Sequence, residues 1–454
     1  MSMSKELLAF CDSTELSEEG LREIMEGHNV PIIFNGVGFF FAACRNERVT
    51  EGIIRYLLKC FPDAASATNW NGMKPLHYAC LNSNVTINII QLLIDANPDS
   101  IRNVCNSGRT PLHILCRNRR GVDEAAAIQI LTLLIKAYPG SEQIASTNGT
   151  LPLHNACSRG SLAMVEYLYK LYPDAIIHAT PEGFYRGHYP IHYAIMGIQD
   201  RDDPSTAVEI FQFLLDCDPN QKLIQLQGTS LLHFACGKRY NSSNIEAGIQ
   251  LIKVLFDAHP EAIGNNGITS RIHRFHQQVQ AFINNELVYA RQAQDHSLMI
   301  TPDYNGQLPL HTALQRNVRL GSIKLLINGN PSAIRNFDNN GAIPLHVACE
   351  HHDSDVVQYL VSLADITLDT IDREGSTALH YACRGAKYDT IALLLEKYDA
   401  VSVSKRNDHG KLPIDLLWES NAVEDRESPE HVETVFQLLR AYPEMVTMSN
   451  LTLN

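Results

Sequence analysis

One short phrase, Pro-Leu-His-x-Ala-Cys, returns along this chain at near-constant intervals, and it constrains the fold more than any other feature. It stands as Pro75-Leu76-His77-Tyr78-Ala79-Cys80 and as Pro111-Leu112-His113-Ile114-Leu115-Cys116, and it returns at His154, His192, His233, His311, His346 and His380. The steps between histidines are 36, 41, 38, 41, 78, 35 and 34 residues. The 78 is twice 39, so a degenerate unit lies between His233 and His311. Phrases lacking the histidine stand at either end, Phe39 to Cys44 and Leu412 to Leu417. A chain built this way folds as stacked supersecondary units, because no unit carries enough apolar surface to fold alone.

A second phrase recurs out of phase, Leu-Leu followed by Pro-Asp-Ala-Ile, as at Pro62 and Tyr172-Pro173-Asp174-Ala175-Ile176. The two phrases absorb fifteen of the twenty prolines, so proline punctuates the unit. Proline ahead of Leu-His suits a first helical turn, where its missing N–H is no loss. The helix opening at Pro111 is expected to end near Arg117-Asn118. A second helix follows, with Ile128, Leu131, Leu134 and Ile135 on one face, and Tyr138-Pro139-Gly140 stops it. Asn148-Gly149 then marks a turn before the next proline.

These units resemble the ankyrin repeat, over roughly residues 36–454. The resemblance implies an all-α solenoid of about 10–11 helix-turn-helix repeats with short β-hairpin fingers. It also implies partner binding on the concave face made by fingers and first helices. The threonine usual before Pro-Leu-His is kept at Thr110 and, near Ala378, at Thr377, whereas Lys74, Leu151, Tyr189, Leu308, Ile343 and Leu412 replace it elsewhere. Each lost hydroxyl cap costs on the order of 1 kcal/mol. Four segments are expected. Residues 1–35 form an acidic N-terminal cap with a helix from Glu18 to Met25, and 36–264 form a first sub-array. Residues 265–300 form a degenerate repeat read as one extended helix (Ile272, Phe275, Val279, Phe282, Ile283), or a hinge. Residues 301–454 form a second sub-array with an acidic C-terminal cap.

The formal charge of -13 sits at the ends: residues 1–27 hold seven acids and two bases, and 415–433 seven acids and one base. The body between them is near neutral. The apolar runs are too short to span a membrane, and the N-terminus lacks a signal-peptide pattern, so a cytoplasmic or nuclear location is expected. Seven of eleven cysteines occupy one slot of the repeat, which marks them as small buried hydrophobes with reduced thiols.

His-x-x-Cys occurs six times, each resembling half a zinc site, but recurrence in phase with the repeat assigns the pairs to structure. His351-His352-Asp353 and His273/His276 read as solvated faces. Gly410-Lys411 lacks the Ser/Thr of a phosphate loop, and neither G-x-S-x-G nor H-E-x-x-H occurs. No enzyme activity, metal or cofactor is expected.

Binding surfaces are more informative. The finger between Pro173 and Pro190 is four residues longer than the others and reads Glu182-Gly183-Phe184-Tyr185-Arg186-Gly187-His188-Tyr189. Phe184, Tyr185, Arg186 and His188 have the composition of an interface hot spot, and Trp70 tips an ordinary finger. Basic residues gather after the first helices: Arg45 and Arg48, then Arg117, Arg119 and Arg120, then Arg159, Lys238 and Arg239, and further along Arg316, Arg319, Arg384 and Lys387. Aligned by stacking, they would form a basic edge. The expected function is therefore a monomeric, non-enzymatic scaffold or adaptor gripping a protein partner with an acidic segment. The alternative is a binder of nucleic acid or another polyanion through that edge. The acidic tail at 419–433 is a candidate inhibitor of the same edge.

Overall fold

The computed structural model describes residues 3–27, 37–118, 123–181, 187–218, 231–264, 266–363, 368–398, 403–421 and 426–441. The chain forms two compact units, residues 1–227 with 237–252 and residues 228–236 with 253–454.

In the first unit the Pro-Leu-His phrase opens the short helices α5 (Pro75–Ala79), α7 (Pro111–Cys116), α9 (Pro152–Arg159) and α11 (Pro190–Asp200); α3 (Val37–Arg45) holds the same place without the phrase. Each is followed by an antiparallel partner: α4 (Glu51–Cys60), α6 (Ile87–Ala96), α8 (Glu124–Ala137), α10 (Leu162–Leu171) and α12 (Ser205–Asp216). First helices pack on first helices and second on second, so the unit has two helical layers. Ala79, Cys80, Cys116, Ala156 and Cys157 are fully buried, because only small side chains let the first helices approach this closely. Thr50, Thr86, Asp123 and Ser161 cap the second helices through hydrogen bonds from Ile53, Ile89, Ala126 and Met164 N–H.

The register of α8 differs from the sequence expectation. It buries Ala127, Ile130, Leu131, Leu134 and Ile135, while Ile128 stands half-exposed at the flank. Both neighbouring second helices press on α8, which favours a broader apolar face than the single stripe. The Pro-Asp-Ala-Ile phrase does more than stop helices. It forms 3-10 turns at Pro62–Ser66, Pro98–Arg102 and Pro173–Ile177, and these bury Ala64, Ile101 and Ile176.

Before the first repeat lie α1 (Met3–Cys11) and α2 (Glu18–Gly27). The acidic helix α2 packs on α4, and α1 packs on α3, burying Leu7 and Cys11. Burial, with a smaller push from the Asp12 charge, raises the Cys11 thiol to about 12.

Further along the chain come α13 (Ile245–Ala258), α14 (Gln277–Gln294) and α15 (His296–Ile300). The second unit then repeats the plan with α16 (Pro309–Gln315)/α17 (Leu320–Gly329), α18 (Pro344–His351)/α19 (Ser354–Ser362), α20 (Ala378–Arg384)/α21 (Tyr388–Leu395) and α22 (Pro413–Glu419)/α23 (Pro429–Ala441). One continuous core of Ile, Leu, Val, Ala and Cys runs through it. Ahead of α16, the extended helix expected from Ile272 is broken. Short turns at Asn266–Thr269 and Ile272–Arg274 come first, and the long helix α14 starts only where His276 caps it at Gln278 N–H. Asp295 then ends α14 and caps α15, accepting from Ser297 and Leu298 N–H at 3.1 and 3.3 Å.

Candidate functional site: fingers and first-helix edge

The fingers are tight turns, and among the described residues none contains a strand. Each opens with a side chain that caps its own turn. Asp338 Oδ1 accepts from Asn340 and Ala342 N–H, both at 2.9 Å. Asn69, Asp303, Asp372 and Asn407 do the same two and four residues ahead. Sequence reading missed this Asx-x-x-Gly signal, although its glycine lies five residues before the histidine, as Gly72 does before His77, and in the last finger Gly410 lies five before Asp415. Neighbouring fingers are tied by single backbone bonds: Asn106 N–H to Asn71 O and Thr147 N–H to Ser107 O in the first unit, and Asn339 to Asn305, Arg373 to Asn340 and Asp408 to Glu374 in the second.

Cys105 fills the capping position in its finger, with Sγ 3.1 Å from Ser107 Oγ. Burial works to raise this thiol, but bonds from Ser107 and Arg109 and the Arg109 charge hold it below its usual value. Cys105→Asn should therefore leave thermal stability within about 1 kcal/mol of the parent, whereas Cys105→Leu should lose roughly 1–3 kcal/mol through orphaned turn N–H groups. Urea melts of the two variants check this, and equal losses would contradict the capping role.

In five repeats the recurrent histidine joins the first helix to the next finger. Its Nδ1 accepts the N–H of the N-cap residue: Lys74 for His77, Leu151 for His154, Tyr189 for His192, Leu308 for His311 and Ile343 for His346. In His77, His113, His154, His346 and His380 Nε2 then carries the proton and donates to a carbonyl of the following unit, whereas His311 Nε2 is buried without a partner among the described residues. His77 reaches Arg109 O at 3.2 Å, His113 reaches Thr150 O at 3.0 Å, His154 reaches His178 O at 3.1 Å and His346 reaches Thr370 O at 3.1 Å. The ring makes the same bond at Thr110 and Thr377, so it does not depend on the threonine. The threonine hydroxyl serves a different group, His113 N–H; where it is lost, that N–H bonds the N-cap carbonyl, as in His77 to Lys74 O, His154 to Leu151 O, His192 to Tyr189 O and His346 to Ile343 O. At Leu412 the substitute for the ring is Asp415, whose Oδ2 accepts Leu412 N–H at 2.8 Å.

These bonds bear on the zinc-like His-x-x-Cys pairs. The imidazoles are committed to backbone groups, and burial raises the thiols of Cys80, Cys116, Cys157, Cys349 and Cys383. Among the described residues no group of three or more His, Cys, Asp or Glu is placed to hold a metal ion. All eleven cysteines are free thiols. His352 is not on a solvated face as expected; it is buried, and burial pulls it down to about 4. His273 is exposed, and His276 serves as the α14 cap.

Apolar side chains stand free at the finger tips. Trp70 is 85% exposed in the first unit, and Tyr304 is 90% exposed in the second. They hold the same register, one residue after the capping Asx. The next finger fixes both backbones, since Asn106 Nδ2 donates to Trp70 O and Asn339 Nδ2 to Tyr304 O at 3.0 and 3.1 Å. Val104, Phe337 and Ile371 are exposed one residue before the capping position. Sequence analysis found Trp70 and missed the others, whose signal was this shared register. Phe184, Tyr185 and Arg186, the tip of the long finger, lie outside the described residues. His188 does not project from the finger base: its N–H donates to Thr180 Oγ1 at 3.1 Å, and its ring lies 4.8 Å from that of His192.

The basic edge is largely neutralised by acids from adjacent elements. Arg159 pairs with Asp200 at 3.1 Å and Arg45 with Asp12 at 2.7 Å. Arg384 grips Glu350 through two bonds of 2.8 and 2.7 Å, Arg319 pairs with Asp257, and Lys387 lies 3.7 Å from Asp353. Arg117 is half-buried at the end of α7, and Arg119 and Arg120 lie outside the described residues. Lys238 is half-buried; burial draws it down to about 8 against the opposing pull of Asp200. Arg239 is exposed, and its carbonyl accepts a bond from Gln199. Arg48 and Arg316 are exposed too.

A helix-turn-helix repeat whose first helices are tied to successive fingers through histidine defines a class of repeat protein. Residues 39–132, 272–370 and 322–407 match the ankyrin repeats (3 copies), just over half of the chain, and the protein belongs to the ankyrin-repeat family. Members of that family generally mediate protein–protein interaction and are typically non-enzymatic. No curated protein matches the chain. Among the described residues no helix is long and apolar enough to cross a membrane.

Proposed function

We propose that this protein is a non-enzymatic adaptor that holds a protein partner on its fingers and first helices. The observation that carries the reading is the exposure of Trp70 and Tyr304 on backbones fixed by the next finger. Large amphipathic rings held in place bind at low entropic cost and dominate interface energetics. The long finger adds Phe184, Tyr185 and Arg186, and Trp70 and this finger make the main contacts. The basic edge contributes less, because Arg45, Arg159 and Arg384 already have carboxylate partners. For the same reason the polyanion reading, and an acidic partner segment, have little support. Free, mostly buried thiols suit a reducing compartment, cytoplasmic or nuclear.

Changing Phe184, Tyr185 and Arg186 together to alanine should weaken capture of the partner from cell extract by on the order of tenfold or more. The fold should be untouched, as read by circular dichroism. A discrete protein retained equally by parent and triple variant would remove the long finger from the interface. Nucleic acid recovered instead, and released by moderate salt, would restore the polyanion reading.

A further inference from the structure

A cleft of about 410 Å³ opens in the first unit between α1, α3 and the first finger. Its walls are Leu8, Phe41, Tyr78 and Trp70, with the Asp12–Arg45 pair at the rim. Phe41 occupies the slot that holds histidine in the other repeats, and its ring lies 5.2 Å from that of Tyr78 at a tilt of 42°. Asn69 Nδ2 donates to Tyr78 Oη at 2.8 Å, and Asn69 Oδ1 is occupied by the finger's own N–H groups. Trp70 lines the opening and is 85% exposed. We propose that this cleft binds a methylated lysine side chain of a protein partner.

The chemistry of the walls selects that guest. Aromatic faces attract cations through the ring quadrupole, tryptophan most strongly. A bare ammonium carries three N–H donors and needs three acceptors on leaving water. The cleft offers the Asp12 carboxylate and little else, since the polar atoms of Asn69 are engaged. A trimethylammonium group has no donors and a weak hydration shell, so apolar walls with a single carboxylate suit it better. The four-carbon lysine stem would lie along Leu8 and Ala42. Arg45 holds Asp12 through one oxygen only, and the Asp12 side chain is 55% exposed, so its second oxygen is open to a cation.

The proposal rests on the adaptor reading but is tested apart from it. Trp70 and Trp418 are the only tryptophans, so Trp418→Phe leaves Trp70 as the sole fluorescent reporter. Two alanine- and glycine-rich decapeptides, identical except for a central trimethyllysine or lysine, are titrated into this variant. Choline and its neutral isostere 3,3-dimethylbutan-1-ol are titrated in parallel. Calorimetry on the parent chain repeats the comparison without relying on the variant. The trimethyllysine peptide should shift Trp70 emission saturably and bind at least tenfold more tightly than its unmodified twin. Choline should exceed its neutral isostere by a similar factor, and D12N should weaken both cations at least fivefold. Equal binding of the two peptides, equal binding of choline and the alcohol, or no binding by either method would overturn the proposal. Binding of choline but not of the trimethyllysine peptide would overturn the assignment to a protein partner. The triple-alanine variant of the long finger leaves this cleft intact, so loss of partner capture there and loss of methyllysine binding here are separate outcomes.

Discussion

Lowering the pH from 7 to about 4.5 is expected to unfold this protein in a steep transition. The cause is the recurrent histidine. Burial pulls His77, His113 and His380 down to about 4, and His154 and His192 to about 3, with the bond to the next carbonyl opposing it in His77, His113, His154 and His380. His311 and His346 move the same way for the same reason. In the unfolded chain these rings take up a proton near 6.5. Between that value and the folded values the unfolded state binds more protons, so stability is complete above about pH 6.5 and falls as pH drops. Each tenfold difference in proton affinity between the two states is worth about 1.4 kcal/mol, and several such histidines together exceed the roughly 5–15 kcal/mol that holds a typical domain. Protonation also takes away the Nδ1 acceptor, leaving the N-cap N–H groups of Lys74, Leu151 and Tyr189 without a partner. Carboxylates held low by exposed hydrogen bonds, such as Glu51 and Asp203, lose their stabilisation only below about pH 4, so the two causes separate on the pH axis. Thermal melts by circular dichroism from pH 8 to 4.5 should show a flat plateau and then a steep fall beginning near 6.5. A midpoint that stays constant down to pH 5 would contradict the account.

The second large effect is expected at Gly341. Its φ is +76°, and a Cβ there would stand 2.8 Å from Arg373 N, the donor that ties this finger to the next. Gly341→Val combines about 1–2 kcal/mol of left-handed strain with loss of a backbone bond worth about 1 kcal/mol, for a total of roughly 2–3 kcal/mol. Gly410 supplies the control. It has a φ of +75° with nothing within 4 Å of where an added Cβ would stand, so Gly410→Ala should show the strain alone, about 1 kcal/mol. Urea denaturation of both variants measures the difference. Equal losses would mean that the finger ladder adds nothing to stability.

Much of this fold was readable from the chain because its signals are local and periodic. The Pro-Leu-His phrase fixes the start of a helix, and the seven-cysteine slot fixes which face of it is buried. The features that escaped depend on contacts between repeats. Whether α8 buries Ile128 or Ile130 is decided by the helices on either side of it. His352 looks like a solvated residue beside two charged groups, yet it is buried at the end of α18. The basic edge looked free because its counter-charges lie about a repeat or more away: Asp200 is 41 residues from Arg159, and Asp257 is 62 from Arg319. The exposed row of Tyr304, Phe337 and Ile371 was visible in principle. It required the finger register, which the Asx-x-x-Gly signal supplies.

The adaptor reading stands or falls on where a partner sits. Hydrogen–deuterium exchange of the full chain, with and without the captured partner, measures this directly. Bound partner should slow exchange at the fingers, residues 69–73 and 180–188, and along the first helices α5 to α11, while the second helices α6, α8 and α10 stay as they are. Protection confined to the second-helix layer, with the fingers unchanged, would contradict the account.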